Sequence, residues 1–194
     1  MNADLNEQKD ALRKKIRAAL KSFPAEKRAA DSRKVCELLR QQPFWKRAAA
    51  VLLFAPLPGE VNIWPLPEAT LAEGKIVALP RFDPVGSNYA ARRVQNLQSE
   101  IVTGQFDIRE PVSGCAEIPL NKLDLVLVPG VAFDMRGRRL GRGGGFYDRL
   151  LEMFSGVKCG IAFDEQVVDE VPTALSDVRM DFILTPTCCV RVAG

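Results

Sequence analysis

The side chains best suited to gripping an anion gather in one short stretch, Arg139-Leu140-Gly141-Arg142-Gly143-Gly144-Gly145-Phe146-Tyr147-Asp148. Four glycines in five positions let the backbone approach phosphate oxygens with no side chain in the way, while Arg139 and Arg142 supply forked cationic donors. The stretch lies downstream of an apolar run, Leu125 to Val128, and opens a segment of helical length. In an open α/β sheet, ligands bind beyond the carboxyl ends of the strands, and the first turn of a helix offers free N–H groups to an anion. The chemistry implied is the cradling of a phosphate group. The pattern departs from both common phosphate fingerprints, because no Gly-Lys-Ser/Thr follows and Phe146 stands where the dinucleotide motif requires its last glycine. A turn carrying solvated arginines satisfies the same residues. Asp148 also has two readings: a magnesium ligand beside bound phosphates, or an anion favoured by the helix dipole alone.

The elements that would position this stretch follow from periodicity. Residues 8 to 21 read as an amphipathic helix, with Leu12, Ile16 and Leu20 on one stripe and Lys9, Arg13, Arg17 and Lys21 on a parallel basic one. By itself such a stripe is a solvated face. A second helix is expected over Ala25 to Gln41, with Ser22 as cap, Pro24 in the first turn, Glu26 at the positive end of the dipole and Pro43 as the stop. Short apolar runs follow at 48–55, 75–79, 123–128, 158–163 and 180–184, interleaved with helix-length segments at 62–73 and 143–154. Continuous apolarity marks strands covered on both faces. The more polar stretch 88–110 predicts an edge hairpin or peripheral strand. In the second helical segment, Tyr147, Leu150, Leu151 and Phe154 share a face and read as core contacts, with Asp148 off it. The expected fold is α/β, a three-layer α/β/α arrangement with a mostly parallel central sheet preceded by two N-terminal helices, in a single domain over residues 1–194.

Composition narrows the function classes. Lys and Arg total 27 against 24 Asp and Glu, so a formal charge of +3 provides no field for wrapping nucleic acid. The five cysteines form no CxxC pair and there is no histidine, which leaves a zinc site short of ligands and rules out a Ser-His-Asp triad. Free thiols and a charged N-terminus predict a reducing, cytoplasmic location. The longest apolar run, residues 48–57, is half of what a bilayer span needs, so no membrane segment is expected.

The string Val128-Pro129-Gly130-x-Ala132-Phe133-Asp134-x-x-Gly137-x-Arg139-Leu140-Gly141-x-Gly143-Gly144-Gly145-x-Tyr147-Asp148-Arg149 closely resembles the 5-formyltetrahydrofolate cyclo-ligase family. The resemblance extends through Lys9 and Leu12-Arg13, Pro58-Gly59-Glu60-Val61-Asn62, Leu79-Pro80-Arg81, Glu110-Pro111, Ala162-Phe163-Asp164-Glu165-Gln166, Val171-Pro172 and Ser176-Asp177-Val178. It implies closure of 5-formyltetrahydrofolate, with or without a polyglutamate tail, to 5,10-methenyltetrahydrofolate, coupled to cleavage of ATP into ADP and phosphate. It further implies that Lys9, Arg13 and the residues from Arg139 through Leu140, Gly141, Arg142, Gly143, Gly144, Gly145 and Phe146 to Tyr147 bind ATP. Arg139, Arg142 and Tyr147 would act in catalysis, Asp148 and Asp177 would hold Mg²⁺, and Ala55 and Glu60 would contact the folate. The chain departs from the family at Ile63, where Thr is common, and at Ser176. Trp64 either stacks on the pterin or packs on a helix face. A monomer without nucleic-acid partners is expected. Rival readings are a sugar-phosphate or nucleotide sensor, and a nucleic-acid binder using the basic stripe.

Overall fold

The computed structural model describes residues 2–84, 86, 88–174 and 177–192, so Ser176 lies outside the described residues. Helix α1 (Asn2–Lys21) begins six residues earlier than the periodicity predicts. No breaker precedes Gln8, Asp4 favours the first turn, and the Gln8 amide donates to Asp4 at 3.2 Å one turn back. Helix α2 (Ala25–Gln41) has the expected span, but Ser22 does not cap it. Pro24 occupies the cap position, its carbonyl accepting from Arg28 N at 2.9 Å, and the Ser22 hydroxyl turns back to the Ala19 carbonyl at the end of α1. Ser22 sits two residues too early to reach the free N–H groups of α2. Pro43, expected only as a stop, also starts the short α3 (Pro43–Arg47), where a missing N–H costs nothing.

The chain then forms β1 (Ala50–Leu52), α4 (Pro65–Ala72), β2 (Ile76–Asp83) and β3 (Asn88–Val94). A hairpin of β4 (Ile101–Thr103) and β5 (Arg109–Pro111) follows, then β6 (Leu125–Pro129). A second hairpin, β7 (Ala132–Phe133) with β8 (Arg139–Leu140), leads into α5 (Phe146–Glu152). Strands β9 (Val157–Ile161), β10 (Phe182–Leu184) and β11 (Cys189–Arg191) complete the order. The main sheet runs β11-β10-β9-β6-β1-β2-β3. Its five central strands are parallel and each edge strand is antiparallel, so the polar stretch supplies an edge as expected.

Alternate residues of a strand face opposite sides, and both sides here are covered. Val51, Leu53, Val77, Leu79 and Leu127 pack with Val35 and Leu39 of α2, Trp45 of α3 and Leu66 of α4. Ala50, Leu52, Ala78, Val126 and Val128 pack instead with Leu150 and Leu151 of α5 and with Phe154. This gives the three layers. A third cluster joins Ile16 of α1 to Val131, Ala132, Leu140 and Val171, docking α1 onto the β7–β8 hairpin. That hairpin turns around Asp134, a fully buried carboxylate that accepts from the N–H groups of Arg136, Arg138 and Val171 and from the Arg138 guanidinium. Gly137 within the turn has φ +78, and a Cβ there would stand 2.6 Å from the Met180 carbonyl. Among the described residues no helix is long and apolar enough to cross a membrane.

Candidate active site

The sheet order reverses at β1, whose neighbours are β2 on one side and β6 on the other. Connections leaving the carboxyl ends of β1 and β6 therefore diverge and open a crevice. The structure has a cleft of about 290 Å³ there. Phe54 and Ala55 from the end of β1 and Pro129 and Gly130 from the end of β6 form its floor. Strand β1 is shorter than its apolar run because Pro56 and Pro58 carry no N–H for a ladder, and the chain peels away to place Glu60 on the wall.

The opposite wall comes from the glycine-rich stretch. Of the residues expected there, Arg139, Gly141, Arg142, Gly144, Gly145 and Phe146 line the cleft together with Tyr147 and Asp148. Gly143 (φ +110) and Gly145 (φ +64) hold backbone conformations that L side chains rarely adopt, so α5 starts at Phe146 rather than at 143. Leu140 does not line the cleft: its side chain is buried in the α1-facing cluster and its carbonyl accepts from Val131 N at 2.7 Å.

The two arginines are held by different partners. Arg139 is buried; one Nη donates to the Asp148 carboxylate, the other to the Pro129 carbonyl at 3.2 Å, and Nε has no partner among the described residues. Its guanidinium lies 5.8 Å from the centre of the Tyr147 ring. Arg142 is half exposed and donates through Nε and Nη2 to Glu60 Oε1 at 3.0 and 2.8 Å, while Glu60 Oε2 accepts from Leu57 N at 2.9 Å. Burial pushes the Tyr147 phenol well above the usual tyrosine range, with the nearby Glu60 and Tyr89 acting in the same direction and Arg139 against it. Tyr147 is thus a neutral hydroxyl, able to donate or accept, at any ordinary pH.

Lys9 and Arg13 do not line the cleft, but α1 carries both toward it. Arg13 Nε donates to the Gly141 carbonyl at 3.0 Å and its Nη1 pairs with Asp10 at 2.6 Å. Lys9 pairs with Asp177 at 2.8 Å, and Asp177 also accepts from Ala174 N at 2.8 Å. The two candidate metal carboxylates therefore each face a cation, Asp148 with Arg139 and Asp177 with Lys9. Among the described residues no three acidic, histidine or cysteine side chains cluster as a cage. Mg²⁺ takes one or two carboxylates and completes its shell with phosphate oxygens and water, so this oxygen donor set fits a nucleotide-borne ion.

Two cleft residues carried no sequence signal. Tyr89 and Ile108 line it from β3 and the β4–β5 hairpin, beside Pro80 of β2. Tyr89 pairs in register with Phe82, and both rings meet Phe146 edge-on at centroid distances of 5.4 and 5.7 Å. Trp64 does not line the cleft; half-buried on the α2-side core, with Arg109 5.0 Å from its ring, it takes the packing role. Ile63, the departure from the family pattern, is a core residue.

Comparison with known proteins identifies the family. Residues 5–186 match the model of the 5-formyltetrahydrofolate cyclo-ligase family. The chain is 36% identical to 5-formyltetrahydrofolate cyclo-ligase of Escherichia coli K12 over 144 residues, covering 72% of this chain and 79% of that one. The mouse enzyme of the same name is 25% identical over 191 residues, covering 93% and 94%. The solution structure of 5,10-methenyltetrahydrofolate synthetase from Aquifex aeolicus superposes with a TM-score of 0.87 at 35% identity, over 96% of this chain and 93% of that one. With residues 5–186 matched by the family model and a relative of that name 36% identical over most of the chain, the chain belongs to the 5-formyltetrahydrofolate cyclo-ligase family of enzymes.

Proposed function

We propose that this enzyme closes 5-formyltetrahydrofolate to 5,10-methenyltetrahydrofolate at the 290 Å³ cleft, with ATP and Mg²⁺. The observation that carries the reading is the meeting of two kinds of wall: a largely apolar floor with an aromatic side suited to a flat heterocycle, and a glycine-rich wall with Arg139 and Arg142 suited to phosphates. A formamide oxygen is a poor leaving group. Transfer of the terminal phosphoryl of ATP onto it makes it a good one; the lone pair of folate nitrogen 10 then attacks the formyl carbon, phosphate departs with the oxygen, and the proton of nitrogen 10 is released to the medium. No covalent enzyme nucleophile is needed, consistent with a chain that has no histidine.

Arg139, already fixed against Asp148 and Pro129, would stabilise charge on the transferred group, and Arg142 would swing to it from Glu60. Released from Arg142, Glu60 would hold the pterin, with Ala55 as part of the floor. Glycine N–H groups would orient the phosphates, with Lys9 and Arg13 neutralising their outer charge. Tyr147 would offer a neutral hydroxyl to the reacting centre. Asp148 and Asp177 would hold Mg²⁺, which supplies charge neutralisation across the phosphate oxygens. The proposed working form is a single-domain cytoplasmic monomer.

The test is methenyltetrahydrofolate absorbance after mixing protein with the 5-formyl compound, ATP and Mg²⁺. Product that requires both ATP and folate is expected; ATP binding without hydrolysis in the presence of folate would indicate a sensor instead. In Asp148→Asn, the magnesium concentration for half-maximal rate should rise, and an unchanged magnesium requirement would remove Asp148 as a ligand.

A further inference from the structure

The two residues that leave β6, Gly130 and Val131, turn both of their carbonyls to the same side chain. The Gln166 amide donates to the Gly130 oxygen at 2.8 Å and to the Val131 oxygen at 3.1 Å, while its own oxygen accepts from Phe163 N at 2.9 Å. Gln166 is 2% exposed and ends a 3₁₀ turn, Asp164–Gln166, that follows β9. Its partners fix the orientation of the amide: flipped, it would set its oxygen against two carbonyl oxygens and its N–H groups against the N–H of Phe163. Buried polar groups without partners are strongly disfavoured, so the amide and the two carbonyls hold one another in place.

A trans peptide group is planar, with its carbonyl and its N–H pointing in opposite directions. With the Gly130 carbonyl turned to Gln166, the Val131 N–H of the same peptide faces the other way, where it meets the Leu140 carbonyl at 2.7 Å. Leu140 is the neighbour of Arg139 on β8, and these two residues pair in register with Ala132 and Phe133. One peptide upstream, the Pro129 carbonyl accepts from the Arg139 guanidinium at 3.2 Å. The Arg139 stem also packs against Gly130, where an added Cβ would stand 3.2 Å from Arg139 Cγ and 2.6 Å from the Phe133 ring. Two residues beyond Gln166, Val168 N donates to the Phe133 carbonyl at 2.9 Å, which docks the same segment onto β7. A single rigid peptide thus joins Gln166 on one side to the strand that carries Arg139 on the other.

We propose that Gln166 is a positioning residue: its amide fixes the Gly130–Val131 peptide, and that peptide holds β8 and the Pro129 carbonyl so that Arg139 meets the transferred phosphoryl already aligned. This rests on the activity proposed above and on the role Arg139 has in it. With the amide gone, the peptide is free to turn about its flanking bonds, the Val131 N–H leaves Leu140, and the Arg139 fork between Asp148 and Pro129 loses a support. Glutamate cannot stand in for the glutamine despite its equal length. Its carboxylate keeps an acceptor for Phe163 N but has no N–H, and it sets a negative charge against two carbonyl oxygens.

The test places Gln166→Glu and Gln166→Met in the wild type and in Arg139→Ala. The first removes only the donors; the second fills the same space with no charge, and serves if a buried carboxylate prevents folding. In the wild-type background kcat should fall about tenfold to 10²-fold, the scale of a misplaced catalytic group, while KM for ATP and for 5-formyltetrahydrofolate stays within about threefold. In the Arg139→Ala background the same substitutions should change kcat by less than about twofold, because the group they misplace is already gone. Equal losses in both backgrounds, or an unchanged kcat, overturn the role; so does a change confined to the folate KM, which would make Gln166 a substrate contact. Amide hydrogen exchange followed by NMR reads the brace without turnover. The Val131 amide should exchange at least about tenfold faster in either variant while Val126 and Leu127 of β6 keep their wild-type rates, and an unchanged Val131 rate overturns the proposal. If the wild type turns over no folate yet Val131 loosens selectively, the brace stands and the activity reading fails.

Discussion

Arg139 and Arg142 are three residues apart in the chain and line the same cleft, yet they are held in opposite ways. The Arg139 side chain is 4% exposed, sits at the start of β8, and is fixed by an acid and a main-chain carbonyl. The Arg142 side chain is 47% exposed, rides on the loop just before Gly143 with its positive φ, and pairs with Glu60. A cation fixed before the ligand arrives costs no reorganisation during the reaction. An exposed cation, paired to an acid that itself lines the cleft, can exchange that partner for a phosphate. The floor of the site is thus preset by the sheet, and the rim is set by the glycine loop.

Removing the preset cation should do the greatest damage. Arg139→Ala should lower turnover by about 10²- to 10³-fold, at the upper end of what a single electrostatic donor contributes, with circular dichroism showing the fold retained. Arg139→Lys should not rescue it, because an ammonium cannot fork between Asp148 and Pro129. Turnover within about tenfold of wild type in either variant would erase the distinction between floor and rim. Arg142→Ala should cost about 10²-fold in turnover and leave the thermal midpoint unchanged, since an exposed ion pair is worth about 0–1 kcal/mol. Near-normal turnover would take Arg142 out of the mechanism.

The strands and the glycine-rich stretch were far more legible in sequence than the edge strand and hairpin that complete the cleft. Apolar runs ending in Pro or Gly fixed the parallel strands, and the glycine-rich stretch pointed to their carboxyl ends, because burial on two faces leaves a continuous apolar signature. Asp134 and Gly137 could be quoted only as parts of a family string; their reason, a buried carboxylate turning the β7–β8 hairpin and a glycine against Met180, needs three dimensions. Tyr89 and Ile108 gave no signal. They reach the cleft through antiparallel pairing of a polar edge strand and through a separate hairpin, and neither contact has a local pattern. The Ser22 cap failed for a similar reason: a hydroxyl near a helix start has two helices to choose from, and the bond to Ala19 at the end of α1 won.

A smaller effect is expected where the rim depends on backbone conformation. In Gly145→Ala the residue must keep φ +64, at a cost of about 1–2 kcal/mol for a side chain in the left-handed region, and its Cβ would stand 3.1 Å from Arg149 Nη1. The helix start should shift, and kcat/KM should fall about tenfold, with the KM for ATP carrying most of the change. A change confined to the folate KM would show that this glycine shapes the floor instead.

The smallest effect concerns Tyr147, where floor and rim meet. Burial holds its phenol protonated in the folded protein, whereas in the unfolded chain it ionises near pH ~10. The raised value means that its contribution to stability is complete below about pH 10. It is lost as pH climbs above that, because the unfolded chain releases a proton that the folded one retains. Wild type should therefore lose up to about 1.4 kcal/mol of stability per pH unit in this range on account of Tyr147, and Tyr147→Phe should lose that much less. Urea midpoints collected from pH 8 to 11 measure the difference. If the two proteins lose stability in parallel, the Tyr147 phenol ionises as it would in water; the dry floor then stops short of Tyr147, and Arg139 alone marks its boundary.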